Sequence, residues 1–227
     1  MSYKLSSANP FLTLIVSLLL VGAAFSSPLA QAESATFVEG EHYKALEIPV
    51  STSNADKIEV SEVFSYMCVH CFNFDPFVES WHSRQTEDVD FMRVPASFNG
   101  DWELMAQAYY TAITLGVLDS VHMSIFEGLH NEGQDLRKSE NLAALFEEKA
   151  GISEADFAAA YNSFSVRGRV QQSKAKAMAY RVTGVPTMVV NGKYVVDGRM
   201  AGGNAKMLEV VDFLVAKERA AATAAAQ

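Results

Sequence analysis

The chain has 227 residues and a formal net charge of −9. That acidic balance argues against nucleic acid or an anionic membrane surface as a partner, since both call for basic surface. With 49% apolar residues, the chain can bury a core without covalent staples.

Residues 1–32 have the layout of a secretory signal. Lys4 precedes an apolar run over 11–25, small residues follow, and Ala30-Gln31-Ala32 offers an A-x-A cleavage site after Ala32. The run is shorter than the roughly 18 apolar residues of a membrane span; retention as an anchor is the alternative. Removing 32 of 227 residues leaves 195, enough for one domain or one domain with an insertion. Lys4 goes with them, so the mature charge is 17 − 27 = −10.

Residues 33–57 read as an irregular lead-in with a short strand near 43–48, closed by Pro49. A stronger strand follows at 57–64. Its period of two puts Ile58, Val60, Glu62 and Phe64 on one face. Glu62 is then either a buried carboxylate with a raised pKa, able to accept a proton, or a residue at a solvent-facing strand end. From Cys71 a helical pattern runs through Phe74, Phe77, Val78 and Trp81 to about Arg84, and Pro76 inside it predicts a kink. A strand over 89–94, stopped by Pro95, completes a βαβ unit expected to be parallel and right-handed.

Residues 101–181 show no alternating run. Helices are predicted from Trp102 to Gly116, over 120–130, over 139–150, from Ser153 with Asp156 as a capping pair, and over 166–181. So much helix between strands predicts a helical domain inserted in an α/β domain. The boundaries drawn are 1–32 for the signal, 33–98 with 166–227 for the α/β domain, and 99–165 for the insertion. Beyond Pro186, residues 187–190 and 194–196 flank Asn191-Gly192, the signal of a type I′ hairpin. A last helix starts at Gly202-Gly203-Asn204 and carries Met207, Val210, Val211, Leu214 and Val215; its Ala-rich end beyond Arg219 is expected to fray.

The chain's two cysteines stand as Cys68-Val69-His70-Cys71, where the strand over 57–64 feeds the helix. A helix start offers unpaired N–H groups and the positive end of a dipole, both of which stabilise a thiolate. The second cysteine returns to the same face, within reach of a disulfide. A structural staple is the weaker reading, because so small a loop restricts the unfolded chain very little. Inert core cysteines, or half of a zinc site, would also fit the spacing. Zinc requires about four ligands, and His42, His70, His82, His122 and His130 form no H-x₃₋₅-H pair.

The order of elements, C-x-x-C with His before the second cysteine, Pro76 five residues on, Thr183-Gly184-Val185-Pro186-Thr187, and Val189-Val190-Asn191-Gly192-Lys193-Tyr194 together resemble the DsbA-type thiol:disulfide oxidoreductases of thioredoxin fold. The resemblance spans essentially the whole mature chain. It implies Cys68 as exposed nucleophile, Cys71 as buried partner, His70 as stabiliser of the thiolate, and Glu62 as the fold's buried acid. It implies a cis-proline at Pro186, with Val185 presenting backbone to an extended substrate. Arg93 stands where the family pattern has a buried lysine. Val69 departs from the usual Pro-His dipeptide, restoring a backbone donor near the sulfur, and is where the redox poise is expected to differ. The family further implies reduced, unfolded exported proteins as substrates, a periplasmic location, a membrane quinone-linked DsbB-like partner for reoxidation, a monomer, and no metal or other cofactor. A reductase or isomerase on the same fold is the nearest rival.

Overall fold

A computed structural model of the chain describes residues 37–225; the expected signal over 1–32 lies outside them. In chain order the elements are β1 (Lys44–Ala45), β2 (Ile58–Phe64), α1 (Val69–His82), β3 (Val89–Pro95), α2 (Gly100–Leu115), α3 (Leu118–His130), α4 (Ser139–Ala150), α5 (Glu154–Tyr161), α6 (Phe164–Ala179), β4 (Thr187–Val190), β5 (Tyr194–Asp197), α7 (Gly198–Ala201) and α8 (Asn204–Ala225). They form one mixed sheet in the order β1-β5-β4-β2-β3. β2 and β3 are parallel, as the βαβ reading requires, and the other neighbours are antiparallel.

β2 lies inside the sheet with helices on both sides, and all seven of its residues are buried. Ile58 and Val60 pack with Phe74, Val78 and Trp81 of α1 and with Met207, Val211 and Leu214 of α8. On the other face Val63 meets Ala177 and Tyr180. The expected alternation therefore does not separate core from solvent: a strand covered on both faces reads as a continuous apolar run. Glu62 is 1% exposed, which removes the solvent-facing alternative. Glu59, on the opposite face, is buried as well; Lys176 Nζ lies 2.8 Å from its Oε1, and Ser53 N–H donates to Oε2 at 2.8 Å.

The helices between β3 and α6 build a second cluster, in which Met105, Tyr109, Ile125, Phe126 and Phe146 close over Phe64, Tyr66 and Cys71. α1 runs through Pro76 without a break.

Three expectations are corrected and one element is added. The strand near 43–48 shrinks to Lys44–Ala45, because Ile48 turns out to solvent at 75% exposure. β3 includes Pro95, which pairs with Phe64 at the strand's end. The one-turn helix α7, capped when Asp197 Oδ1 accepts from Met200 N–H at 2.9 Å, went unread. α8 continues through the alanines to Ala225 rather than fraying at Arg219; alanine has the highest helix propensity.

The hairpin turn has left-handed backbone at Asn191 (φ 52) and Gly192 (φ 61), with Lys193 N–H donating to Val190 O at 2.9 Å. Pairing of Val190 with Tyr194 leaves three residues in the loop. Gly192 is also a point of close approach. Its carbonyl accepts from Val50 N–H at 2.8 Å, and a Cβ there would overlap the Val50 carbonyl.

Candidate dithiol active site

β2 delivers the chain to a turn over 65–68, closed by Cys68 N–H donating to Ser65 O at 3.0 Å, and α1 begins immediately after. Cys68 is the N-cap of α1, with extended backbone (φ −106, ψ 109). Its sulfur therefore takes the place usually held by a Ser or Asp oxygen, accepting the Cys71 N–H at 3.2 Å. No acidic residue occupies the first turn of α1 to oppose a negative charge there. Both cysteines are unbonded; Cys68 is half-buried and Cys71 fully buried.

The two sulfurs are driven in opposite directions. The Cys71 thiol, the backbone N–H groups of Cys71 and His70, and the His70 ring charge favour the Cys68 thiolate against the cost of burial, lowering Cys68 from 9.0 to about 6. Burial, reinforced by the charge of Cys68, pushes the Cys71 thiol far up. One sulfur is thus a thiolate at neutral pH and the other holds its proton, the asymmetry that thiol–disulfide exchange through a single exposed sulfur requires.

Val69 and His70 lie exposed beside Cys68. The Val185–Pro186 peptide bond is cis, as expected. The Val185 carbonyl lies 3.6 Å from Cys68 Sγ and can accept from its thiol, while Thr187 Oγ1 donates to Gly184 O at 2.8 Å across the loop. A groove of about 560 Å³ adjoins this loop, lined by His70, Val185, Pro186, Arg181 and Arg199 among others.

Beneath the dithiol lies a charge cluster. Glu62 and Arg93 are register partners on β2 and β3, and Arg93 Nε donates to Glu62 Oε2 at 3.1 Å. Burial raises Glu62 to about 7 against the pull of Arg93. Arg93 also donates to Asp75 Oδ1 at 2.8 Å and Glu79 Oε1 at 2.6 Å, so one guanidinium serves three carboxylates. His122 Nε2 is 3.0 Å from Asp75 Oδ1, and its Nδ1 is 2.6 Å from the buried Tyr66 hydroxyl. Tyr66 is held a second time, its carbonyl 2.8 Å from His130 Nε2.

The structure brings together six of the seven residues the sequence singles out around the dithiol (Cys68, Val69, His70, Cys71, Val185 and Pro186), with Glu62 below them beside Arg93. The sequence reading missed Asp75, His122, Tyr66 and His130. Asp75 carried a faint signal: a carboxylate four residues after Cys71 falls on the apolar face formed by Cys71, Phe74, Val78 and Trp81. His122 had the same kind of signal, between Val121 and Ile125 on the buried face of α3.

A sheet carrying C-x-x-C at a helix N-terminus opposite a cis-proline defines a thioredoxin-fold dithiol oxidoreductase. The model of the DSBA-like thioredoxin domain matches residues 59–214. The thiol:disulfide interchange protein DsbA of Pseudomonas aeruginosa is 42% identical over 209 residues, covering 92% of this chain and 98% of the relative. That of Pseudomonas syringae pv. tomato is 42% identical over 212 residues, covering 93% and 98%. Among solved structures, Pseudomonas aeruginosa DsbA superposes with a TM-score of 0.79 at 43% identity, over 82% of this chain and 97% of the other. The oxidoreductase DsbA of Xylella fastidiosa gives 0.75 at 38% identity, over 81% and 98%. The chain belongs to the DsbA family, and its activity is thiol:disulfide interchange.

Proposed function

We propose that the protein works as an exported dithiol oxidase, with Cys68 as its nucleophilic sulfur. In the disulfide form, a substrate thiolate attacks Cys68 Sγ. The Cys68–Cys71 bond breaks, Cys71 leaves and takes up a proton, and a mixed disulfide joins substrate to Cys68. A second substrate thiolate attacks the substrate sulfur of that bond and releases the Cys68 thiolate. The substrate leaves oxidised by two electrons and the enzyme reduced by two. The observation that carries this direction is the placement of the two sulfurs: Cys68 caps α1 and accepts the Cys71 N–H at 3.2 Å while Cys71 is fully buried, so the reduced form rests as a Cys68 thiolate, which is both a good leaving group and a stabilised product.

The other residues have supporting roles. His70 favours the thiolate through its ring and its backbone N–H, and Val69 beside the sulfur tunes the redox poise. Val185 offers a carbonyl to an extended substrate strand beside Pro186, and Glu62 takes or supplies the proton of Cys71. The α/β domain over 33–98 and 166–227 holds the dithiol, and the insertion over 99–165 roofs it. The chain acts in the periplasm, after cleavage near Ala32, as a monomer on reduced, unfolded exported proteins. A membrane quinone-linked, DsbB-like partner restores its disulfide.

Cys71→Ala removes the resolving thiol, so Cys68 is expected to accumulate mixed disulfides with exported proteins, visible as thiol-sensitive adducts on gels of periplasmic extract. Their absence, with Cys68→Ala behaving identically, overturns the assignment of the nucleophile. Retention of the leader on the mature chain overturns the cleavage reading and leaves the anchored form; a chain confined to the cytoplasm overturns the export reading.

A further inference from the structure

We propose that His122, contributed by α3, is a positioning residue for the dithiol: its hydrogen bond keeps Asp75 a carboxylate, and that carboxylate's hold on Arg93 decides whether Glu62 beneath Cys71 carries a proton. The inference rests on the role given to Glu62 above and goes beyond it by placing the control 60 residues away in sequence, in the helical segment.

Both ring nitrogens of His122 are engaged: Nδ1 with Tyr66 Oη at 2.6 Å, Nε2 with Asp75 Oδ1 at 3.0 Å. A neutral ring satisfies both in one tautomer only. With the proton on Nε2 it donates to Asp75 and accepts from the Tyr66 hydroxyl; the other tautomer would turn a lone pair toward a carboxylate. Burial, partly offset by Asp75, lowers the proton affinity of His122, and burial keeps Tyr66 a hydroxyl. The other ionisable groups around it are Tyr109 of α2, with ring centroids 6.3 Å apart, and Arg93 and Glu79, whose charges reach it from β3 and α1. Phe64 and Phe126 close the remainder with apolar surface.

Asp75 Oδ1 is the junction, accepting from both Arg93 and His122. Glu79 is half-exposed at 54%, so water screens its share of Arg93. Glu62 and Asp75 are 1% and 3% exposed, and one buried guanidinium cannot neutralise both. The His122 donor resolves the contest. It, with Arg93, more than offsets the burial of Asp75 and holds that carboxyl below its ordinary value. An ionised Asp75 both repels charge on Glu62 and draws away part of Arg93, which leaves Glu62 as the group that takes the proton. Without the His122 donor, Asp75 gains the proton and Arg93 turns to Glu62.

The experiment is a pH titration of the reduced protein carrying ¹³C-carboxyl glutamate, with the Glu62 resonance assigned by its loss in Glu62→Gln. His122→Phe keeps an aromatic ring in its apolar surround and removes both nitrogens; the Glu62 midpoint is expected to fall by about one pH unit, the effect of losing a neighbouring charge. His122→Gln, whose amide donates to Asp75 and accepts from Tyr66, is expected to leave the midpoint in place. Asp75→Asn should reproduce the His122→Phe shift, and combining the two should add nothing. An unmoved midpoint in His122→Phe, or equal shifts in His122→Gln and His122→Phe, overturns the proposal. Should His122→Phe not fold, an unmoved midpoint in Asp75→Asn does so alone. The readout is independent of turnover, so it separates failure of this proposal from failure of the oxidase reading.

Discussion

Raising the pH from 5 to 8 is the simplest perturbation of the opposed sulfurs, and the effect on the reduction potential can be worked from their proton affinities. Reduction of the disulfide takes two electrons and, below the Cys68 value of about 6, two protons. Above it only Cys71 needs one, because its burial keeps that thiol protonated. The potential should therefore fall by about 59 mV per pH unit under acidic conditions and by about 30 mV per unit above pH 6, since a tenfold change in a two-electron equilibrium is about 30 mV. Against a thiol left at 9.0, the ratio (1 + 10^(pH−6))/(1 + 10^(pH−9)) gives the reduced form about an 11-fold gain at pH 7, about 1.4 kcal/mol or about 30 mV. At pH 8 the gain is about 90-fold, or about 58 mV. Cys68 is only half-buried, so salt trims both figures. The assay is equilibration with dithiothreitol or glutathione couples across this range, alkylation of free thiols and mass measurement. A slope that stays near 59 mV per unit up to pH 8 would show Cys68 protonated throughout and refute the reasoning.

Cys71→Ala deletes the leading cause of the lowered Cys68 value, a thiol donor to the thiolate. The Cys68 midpoint, read by ultraviolet absorbance, should rise by about one unit, as losing a hydrogen bond to a charged group requires, with Cys71→Ser in between; no rise means that backbone and His70 suffice. Glu62 has a folded value of about 7, raised from 4.5, so the folded state binds its proton more tightly and that contribution to stability is lost as pH climbs between the two. Glu62→Gln, a mimic of the protonated acid, should gain about 2.5 kcal/mol more at pH 8 than at pH 5 in denaturant unfolding; an equal effect at both would contradict the buried, proton-poised carboxyl. Gly192→Ala puts a side chain at φ 61 against the Val50 carbonyl, and should lower stability by more than about 1 kcal/mol, seen as a reduced urea midpoint with unchanged slope.

What the sequence disclosed is whatever has a local signature. The C-x-x-C at a strand-to-helix junction, the Asn-Gly turn and the long helical stretch each follow from neighbours in the chain. Glu62 was visible as a charge among apolar residues, although only the sheet order, with β2 flanked by β3 and β4, decides that it is buried. Arg93 was placed by resemblance alone; its meeting with Glu62 comes from the register of β2 with β3, which the sequence did not disclose. His122 and Asp75 are 47 residues apart, Tyr66 and His122 56. No periodicity encodes such meetings, because they depend on how α3 crosses α1. A histidine on an apolar helical face reads as filler until its partners are seen. The alanines after Arg219 misled in the opposite sense, since a weak amphipathic pattern there masked a strong intrinsic preference for helix.

Because the sulfur of Cys68 closes the first turn of α1, its redox state and the integrity of that helix belong to one thermodynamic cycle. Each increment by which the dithiol protein resists unfolding better than the disulfide protein appears as oxidising strength toward an unstructured dithiol. A melting curve of the two forms thus reports the same quantity as a redox buffer. For the oxidase proposed above, the cycle makes the protein most robust just after it has given its disulfide away, and least so when it is charged and waiting for a substrate.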